Sequence, residues 1–160
     1  KVFNHRYNVL YNVISSYKQE GKLLDDQFML QIEKTLTEDQ QRIENDKEKL
    51  DAVWHSMRIF DRESSIAQAL HQDVKDWLIN ILKAYSLTED KEELERIEHR
   101  RWTIFMITQG FRYEKADRKD LNAKTHPCIL NWEQLKIEKP DTLEYDFTPY
   151  YILQNDTNKK

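Results

Sequence analysis

The residues of this chain that could do chemistry are concentrated in its second half. Residues 98–102 read Glu-His-Arg-Arg-Trp, and residues 126–135 begin with a His-Pro turn and continue through Cys128 to Trp132. In the first segment an indole can stack on a ring, while imidazole and guanidinium groups can bind anions. The same side chains can instead anchor a loop by pairing with its buried backbone groups. The sequence leaves both a pocket wall and a structural cluster open.

A second candidate site lies upstream, at Arg62, Ser64 and Ser65. We expect these residues in the first turn of a helix, where free N–H groups add to a guanidinium and two hydroxyls. Such a set suits a phosphate or a carboxylate. The alternative is helix capping, with a surface salt bridge from Arg62 to Glu63 or Asp61.

Catalysis and metal binding find little support. Glu98 as general base with His99 as its partner would make a hydrolase, but no nucleophile or metal set accompanies them. His99, His126 and Cys128 lack the spacing of a zinc site. Cys128 as nucleophile with His126 as base has no evident oxyanion donor or orienting acid. The sequence therefore predicts no catalytic residue, no metal and no cofactor, and a hydrolase stays the second alternative.

Apolar residues at helical spacing predict the elements that position these side chains. The predicted helices cover residues 2–19, 25–35, 38–58, 62–84 and 88–109. The apolar stripe of the fourth helix consists of Ile66, Ala69, Leu70, Val74, Trp77, Leu78, Ile81 and Leu82.

Capping signals set the predicted ends of these helices. Gly21 and Gly110 are expected to end the first and the fifth helix, and Asp61 to cap the fourth. Capping boxes begin the third and the fifth, and they pair Thr37 with Gln40 and Ser86 with Glu89.

After Gly110 the helical periodicity fails. Short extended pieces are predicted near 111–113 and 128–130, with a polar loop over 114–125 and a helical turn at 131–135. Residues 140–153 are expected to form a last short helix that Pro149 cuts. With only 2 Gly and 3 Pro, we predict a mainly α, bundle-like single domain with a small extended or β element near 111–130.

Bulk properties exclude several classes of protein. The chain has 160 residues and a net charge of −4, so a nucleic-acid partner is not expected. One cysteine and no long apolar run favour a cytoplasmic protein, or the cytosolic part of a larger membrane-associated one. The chain starts without Met inside a helical pattern, as an excised piece would. The aromatic stripe of the first helix would then be core or a homo-oligomer interface, and it consists of Phe3, Tyr7, Tyr11 and Tyr17.

Several motifs together resemble the ryanodine-receptor repeat domain, or RyR domain, in the single-copy form of bacterial and phage proteins. Its Glu-His-Glu/Arg-Arg-Trp signature matches residues 98–102, and its Gly-Trp-x-Tyr step matches 110–113, with Phe in place of Trp. Its His-Pro-x-Leu-x-x-Trp-x-x-Leu motif fits 126–135 in order and spacing. Residues 62–65 look like its Arg-Glu-Ser-Asn segment, with Ser in the last position. The match spans about residues 60–150.

The chain also departs from the RyR pattern. Glu114 replaces a glycine, and Phe147 follows Asp146 where the family has an arginine. If that arginine contacts the ligand in the family, this chain would bind a different ligand or would have lost binding.

The residues and the resemblance together predict a non-catalytic module. We expect it to sense a small anionic ligand such as a nucleotide, or to bind a partner, and to act on an attached domain. The resemblance implies an NAD-binding or membrane domain in the parent chain. The expected ligand-binding residues are Arg62, Ser64, Ser65, Glu98, His99, Arg101, Trp102, Tyr113 and His126.

The main alternative is a purely structural or protein–protein interaction domain that oligomerises. The predicted division is an N-terminal helical segment at 1–58, which is a connector or part of the same domain. An RyR-like domain at 60–153 and a disordered tail at 154–160 follow.

Overall fold

Helices dominate the computed structural model, which describes residues 1–23, 25–84 and 91–157. The mainly α class with one small β element is confirmed. In chain order the elements are α1 Val2–Gln19, α2 Asp26–Asn45, α3 Lys47–Ser56, α4 Ile59–Leu70, α5 Gln72–Ala84, α6 Lys91–Thr108, β1 Arg112–Tyr113, β2 Thr125–His126, α7 Trp132–Glu138, a 3-10 turn Pro140–Thr142 and α8 Leu143–Thr157. No helix among the described residues is long and apolar enough to cross a membrane.

The chain divides into two compact units. Unit 1 comprises Lys1–Leu78 and Thr148–Lys160, and unit 2 comprises Ile79–Phe147. The boundaries between the units, at 78/79 and 147/148, fall within α5 and α8. The predicted domain boundaries between 58 and 60 and at 153 stay a prediction.

Unit 1 is built on the pairing of α1 with α2. Leu10 and Ile14 of α1 are fully buried, as is Phe28 of α2. The Phe28 ring makes T-shaped contacts with Tyr17, at 5.1 Å between centroids, and with Tyr151, at 5.9 Å. The i, i+4 spacing that predicted the first helix therefore produces its buried face.

Gly21 ends α1 as predicted. Its φ is +66°, and the N–H of Lys22 donates to the Tyr17 carbonyl at 2.9 Å, while the N–H of Gly21 donates to Lys18. These two bonds form a Schellman motif, which favours glycine because its φ is positive.

The predicted break between the second and third helices, at residues 35–38, is in the wrong place. The Thr37 hydroxyl donates to the Glu33 carbonyl at 2.9 Å, so Thr37 lies inside α2 and does not begin a helix. A threonine hydroxyl can bond back to the carbonyl four residues earlier as readily as it can cap. The break comes instead at Asp46, whose carboxylate accepts from the N–H of Lys49 at 3.2 Å and caps α3.

The predicted helix over 62–84 is two helices. The first begins at Ile59, after Arg58, so Asp61 lies in the first turn and binds Arg58 at 2.7 Å without capping. His71 separates α4 from α5. Much of the predicted apolar stripe lies on the surface, including Ile66, Leu70, Val74 and Trp77.

Unit 2 begins with α6, which Gly110 ends as predicted. Its φ is +84°, and the N–H of Phe111 donates to the Met106 carbonyl at 3.0 Å. The chain then forms β1, which pairs in parallel with β2 in a register that sets Tyr113 against His126. The predicted β element near 111–130 is this two-stranded sheet.

Residues 128–130 do not form the predicted extended segment. The N–H of Cys128 donates to Nδ1 of His126 at 3.1 Å, which closes a turn after β2. Asn131 then caps α7 by accepting from the N–H of Gln134 at 3.0 Å, so the predicted helical turn is confirmed.

Pro149 does not cut the last helix, because α8 continues through it to Thr157. Proline removes one helical hydrogen bond, but the side chains around it, from Phe147 to Ile152, are buried. Packing therefore outweighs the local preference. The capping box of Ser86 and Glu89 and the end of the tail, 158–160, lie outside the described residues.

Candidate functional site

Glu98 and Arg101 form a buried ion pair on α6. Arg101 Nε lies 3.0 Å from both carboxylate oxygens of Glu98, and its Nη2 lies 2.7 Å from Oε1. The side chains are 2% and 11% exposed, respectively. Residues three apart share a helix face, and the planar guanidinium suits a bidentate contact. The guanidinium predicted to bind a ligand anion is therefore bound to a carboxylate of its own helix.

His99 connects α6 to two other parts of unit 2. Its Nε2 lies 3.0 Å from the carbonyl oxygen of Leu130, just before α7, and its Nδ1 lies 3.1 Å from Oδ2 of Asp146 on α8. Because both neighbours offer oxygen acceptors, the site favours the imidazolium, in which both ring nitrogens donate. Glu98, His99, Arg101 and Asp146 are called the α6 network below.

The protonation of this pair reflects its burial. Burial lowers the pKa of His99, but the hydrogen bond and the charge of Asp146 and the Leu130 carbonyl outweigh it, so the pKa is raised. Burial also raises the pKa of Asp146, against the attraction of His99. The folded state therefore holds protons on this pair more strongly than the unfolded chain does.

Trp102 and His126 form an aromatic pair beside the α6 network. Their ring centroids are 4.8 Å apart and their planes meet at 72°. The Trp102 ring also lies 5.6 Å from His99. Burial and the charges of Lys119 and His99 lower the pKa of His126 to about 4, so its ring is neutral at pH 7. Since Nδ1 accepts from Cys128, the proton of the neutral ring is on Nε2.

Tyr113 lies on β1, at the edge of the candidate site, and pairs with His126 in the strand register. Its hydroxyl donates to Oε2 of Glu138 at 3.3 Å, and its side chain is exposed. The strand register thus brings together two residues that the sequence placed in the same site.

A loop of mixed charge joins the two strands. Its exposed cations are Lys115, Arg118, Lys119 and Lys124, and its acids are Glu114, Asp117 and Asp120. The Asp120 carboxylate accepts from the N–H groups of Asn122 and Ala123 at 2.8 and 2.9 Å. Lys124 donates to the Gln109 carbonyl at 2.8 Å. These bonds give the loop a defined course and leave Lys119 close enough to His126 to lower its pKa.

Arg62, Ser64 and Ser65 lie on α4, in unit 1. Their predicted position in the first turn of a helix is wrong, because α4 begins at Ile59 and the N–H of Arg62 already donates to Arg58. The Ser65 hydroxyl lies 2.6 Å from Oδ1 of Asn4 and 2.9 Å from the Asp61 carbonyl. The argument from free helix N–H groups therefore fails here, and these residues form a candidate separate from the one on α6.

Sequence reasoning missed a further group of charges in unit 2. Glu95 and Glu144 are buried, and Lys91 reaches both, at 3.8 and 2.6 Å. Burial raises the pKa of Glu95 to about 7; Lys91 opposes the shift, and the charges of Glu144, Asp146 and Glu92 add to it. A signal was present, because residues 91, 95, 98 and 102 recur at helical spacing and mark one face of α6.

In comparisons with known proteins, no family model, curated protein or solved structure matches this chain. The resemblance to RyR domains stays a prediction, carried by its own motifs at residues 98–102, 110–113 and 126–135.

Proposed function

We propose that the chain is a non-catalytic recognition module of the RyR type. Unit 2 binds a small anionic ligand, such as a nucleotide, and passes that binding to an attached domain. One observation carries the proposal. Glu98, His99 and Arg101 of the α6 signature are bonded inside unit 2, and beside them is the half-buried pair of Trp102 and His126, whose histidine is within reach of the charge of Lys119 on the loop.

The α6 network acts as the support of this site. His99 joins α6 to the segment before α7 and to α8, and Trp102 packs on its ring. A binding surface gains affinity when its side chains are fixed before the ligand arrives. The network supplies that fixation for Trp102 and His126.

The geometry argues against the hydrolase. A general base must reach the proton that it removes. The Glu98 side chain is 2% exposed and both its oxygens face Arg101. Proton transfer to a substrate would first require this buried ion pair to break, at a cost of several kcal/mol.

The ligand class follows from the groups that stay available at the surface. Trp102 offers an aromatic face for a base, His126 offers a neutral N–H donor, and Lys119 offers a positive charge. Arg101 is bound to Glu98, so we assign the anion-binding role to Lys119 instead. An aromatic ring, a donor and a cation together suit a nucleotide.

A thermal-shift screen tests the proposal with NAD, ADP-ribose, cyclic ADP-ribose and cyclic dinucleotides. A ligand at about 100 times its Kd adds roughly 2.7 kcal/mol, or about 5–10 °C at this chain length. Trp102→Ala and Lys119→Ala should each remove the shift. The matched controls are Trp77→Ala and Lys34→Ala, which remove an exposed indole and an exposed lysine of unit 1 and should leave it intact.

Two results would contradict this assignment. A flat response to the whole panel refutes nucleotide binding. A shift that Arg62→Ala removes and Trp102→Ala retains would move the site to α4.

The second candidate function is protein–protein interaction. It is favoured by the row of exposed apolar side chains on α4 and α5 in unit 1.

A further inference from the structure

We propose that α4 and α5 of unit 1 form a docking surface for an amphipathic helix of a partner protein, flanked by lysine or arginine. This surface, called the α4–α5 stripe, consists of Ile59, Ile66, Leu70, Val74 and Trp77. All five lie in unit 1, and the inference does not depend on ligand binding in unit 2.

The stripe has the spacing of a helix-binding face. On α4, Ile59, Ile66 and Leu70 are separated by seven and four residues, and on α5 Val74 and Trp77 are three apart. These intervals place each set on one helix face. One residue, His71, separates the two helices. An amphipathic helix laid on such a face meets it through anchors at the same intervals.

These apolar side chains are more exposed than large apolar side chains usually are in a folded protein. Leu70 is 77% exposed, Ile59 is 66% and Trp77 is 60%. Single exposed apolar residues are ordinary, but a row that includes a tryptophan marks an interaction surface. Tryptophan contributes more binding energy at interfaces than most residues.

The charges within the stripe identify the kind of partner. Glu63 and Asp73 are the exposed charged residues between its first and last members, and both are acids. Arg58, just before the stripe, is bound to Asp61 at 2.7 Å. A partner with basic residues beside its apolar face would pair with Glu63 and Asp73.

A second copy of the chain fits this charge pattern poorly. In an antiparallel pair that sets residue 66 against residue 70, Glu63 of one copy faces Asp73 of the other. In a parallel pair each acid faces its own counterpart. Like charges that face each other oppose association.

A membrane surface also fits poorly. Helices that lie on anionic membranes carry lysine and arginine beside their apolar face. Here the exposed charges between the members of the stripe, Glu63 and Asp73, are acids, which an anionic surface repels. A basic helix is therefore the occupant that both the apolar row and its charges favour.

Two fluorescent peptides of about 18 residues, or five helical turns, test the proposal by anisotropy against the whole chain. They share one leucine face, which lysines flank in the first peptide and glutamates in the second. The lysine peptide should bind at least about tenfold more tightly. Leu70→Ser with Trp77→Ser should weaken it by more than about tenfold. Ile137→Ser, which changes an 81% exposed side chain of unit 2, should leave its affinity unchanged.

Charge reversal separates local pairing from the general attraction of a chain with net charge −4. Glu63→Lys with Asp73→Lys should invert the preference between the two peptides. The matched control reverses Glu20 and Glu38, two half-exposed acids of unit 1 outside the stripe. It makes the same change in net charge and should preserve the preference.

Several outcomes would overturn the proposal. They are equal affinity for both peptides, no binding of either, and an equal effect of the two charge reversals. Self-association that Leu70→Ser abolishes would assign the stripe to a second copy. Binding to vesicles with roughly a quarter phosphatidylserine, lost with Leu70→Ser, would assign it to a membrane.

Discussion

Glu95→Gln should change how the stability of the protein depends on pH. Glu95 is buried on α6, and Lys91, its nearest cation at 3.8 Å, is closer to Glu144 at 2.6 Å. Burial, with the repulsion of Glu144, Asp146 and Glu92, raises the pKa of Glu95 from 4.5 to about 7. Ionising this carboxyl therefore costs more in the folded state than in the unfolded chain.

The sign and size of the effect follow from proton linkage. Between pH 4.5 and about 7 the folded state holds a proton on Glu95 that the unfolded chain has lost. The free energy of unfolding therefore falls as the pH rises through this window. The loss reaches about 2–3 kcal/mol at neutral pH. Glutamine is uncharged at every pH, so we expect Glu95→Gln to be more stable by that amount near pH 7 and nearly equal to the parent near pH 4.5.

Urea unfolding at several values between about pH 4.5 and 7.5 measures this difference. Glu93→Gln is the matched control. It lies two residues away, and its hydrogen bond to Arg96 lowers its pKa from 4.5, so its contribution changes little over this window and is lost mainly at lower pH. Its loss should shift stability by at most about 0.5 kcal/mol, without changing the slope. A difference between Glu95→Gln and the parent that stays constant with pH would refute the reasoning.

Three further variants test the α6 network. Arg101→Met leaves Glu98 buried without its guanidinium, so we expect a loss of about 3–5 kcal/mol of unfolding free energy, largely restored in Glu98→Leu with Arg101→Met. A loss below about 1 kcal/mol in urea unfolding would contradict a tight buried pair. His99→Leu removes the bonds to Leu130 and Asp146 and should cost about 2–4 kcal/mol. It should also speed amide exchange at Leu135, whose N–H donates to the carbonyl of Asn131 beside Leu130, whereas unchanged exchange there would show that His99 does not hold this segment.

Helix ends were predictable where the backbone needs a positive φ, because glycine adopts that conformation more readily than other residues. Gly21 and Gly110 both have a positive φ, which other residues rarely adopt, and both end helices as expected. Thr37 and Asp61 were misread because hydroxyls and carboxylates have several local partners. Thr37 bonds back within α2, and Asp61 binds a neighbouring arginine.

The candidate site was predictable only in part. The helical spacing of Glu98 and Arg101 made an ion pair on α6 foreseeable, but not its burial. The partners of His99 come from 31 and 47 residues away, and the raised pKa of Glu95 comes first from its burial and then from the charge of Glu144. Such contacts are set by tertiary packing, which periodicity along one helix does not encode.

At Phe147 the chain lacks the arginine that RyR domains have after the aspartate, and this difference limits which ligands of the family it could share. The resemblance implies an arginine after Asp146, but Phe147 is buried and the Lys91 ammonium lies 5.2 Å from its ring. That ammonium also binds Glu144 at 2.6 Å. A cation is thus present beside this position, but it comes from the start of α6 and is paired within unit 2. A ligand that needs the arginine's charge would not find it there, which adds a second reason, besides the pairing of Arg101 with Glu98, for proposing Lys119 on the loop as the anion contact.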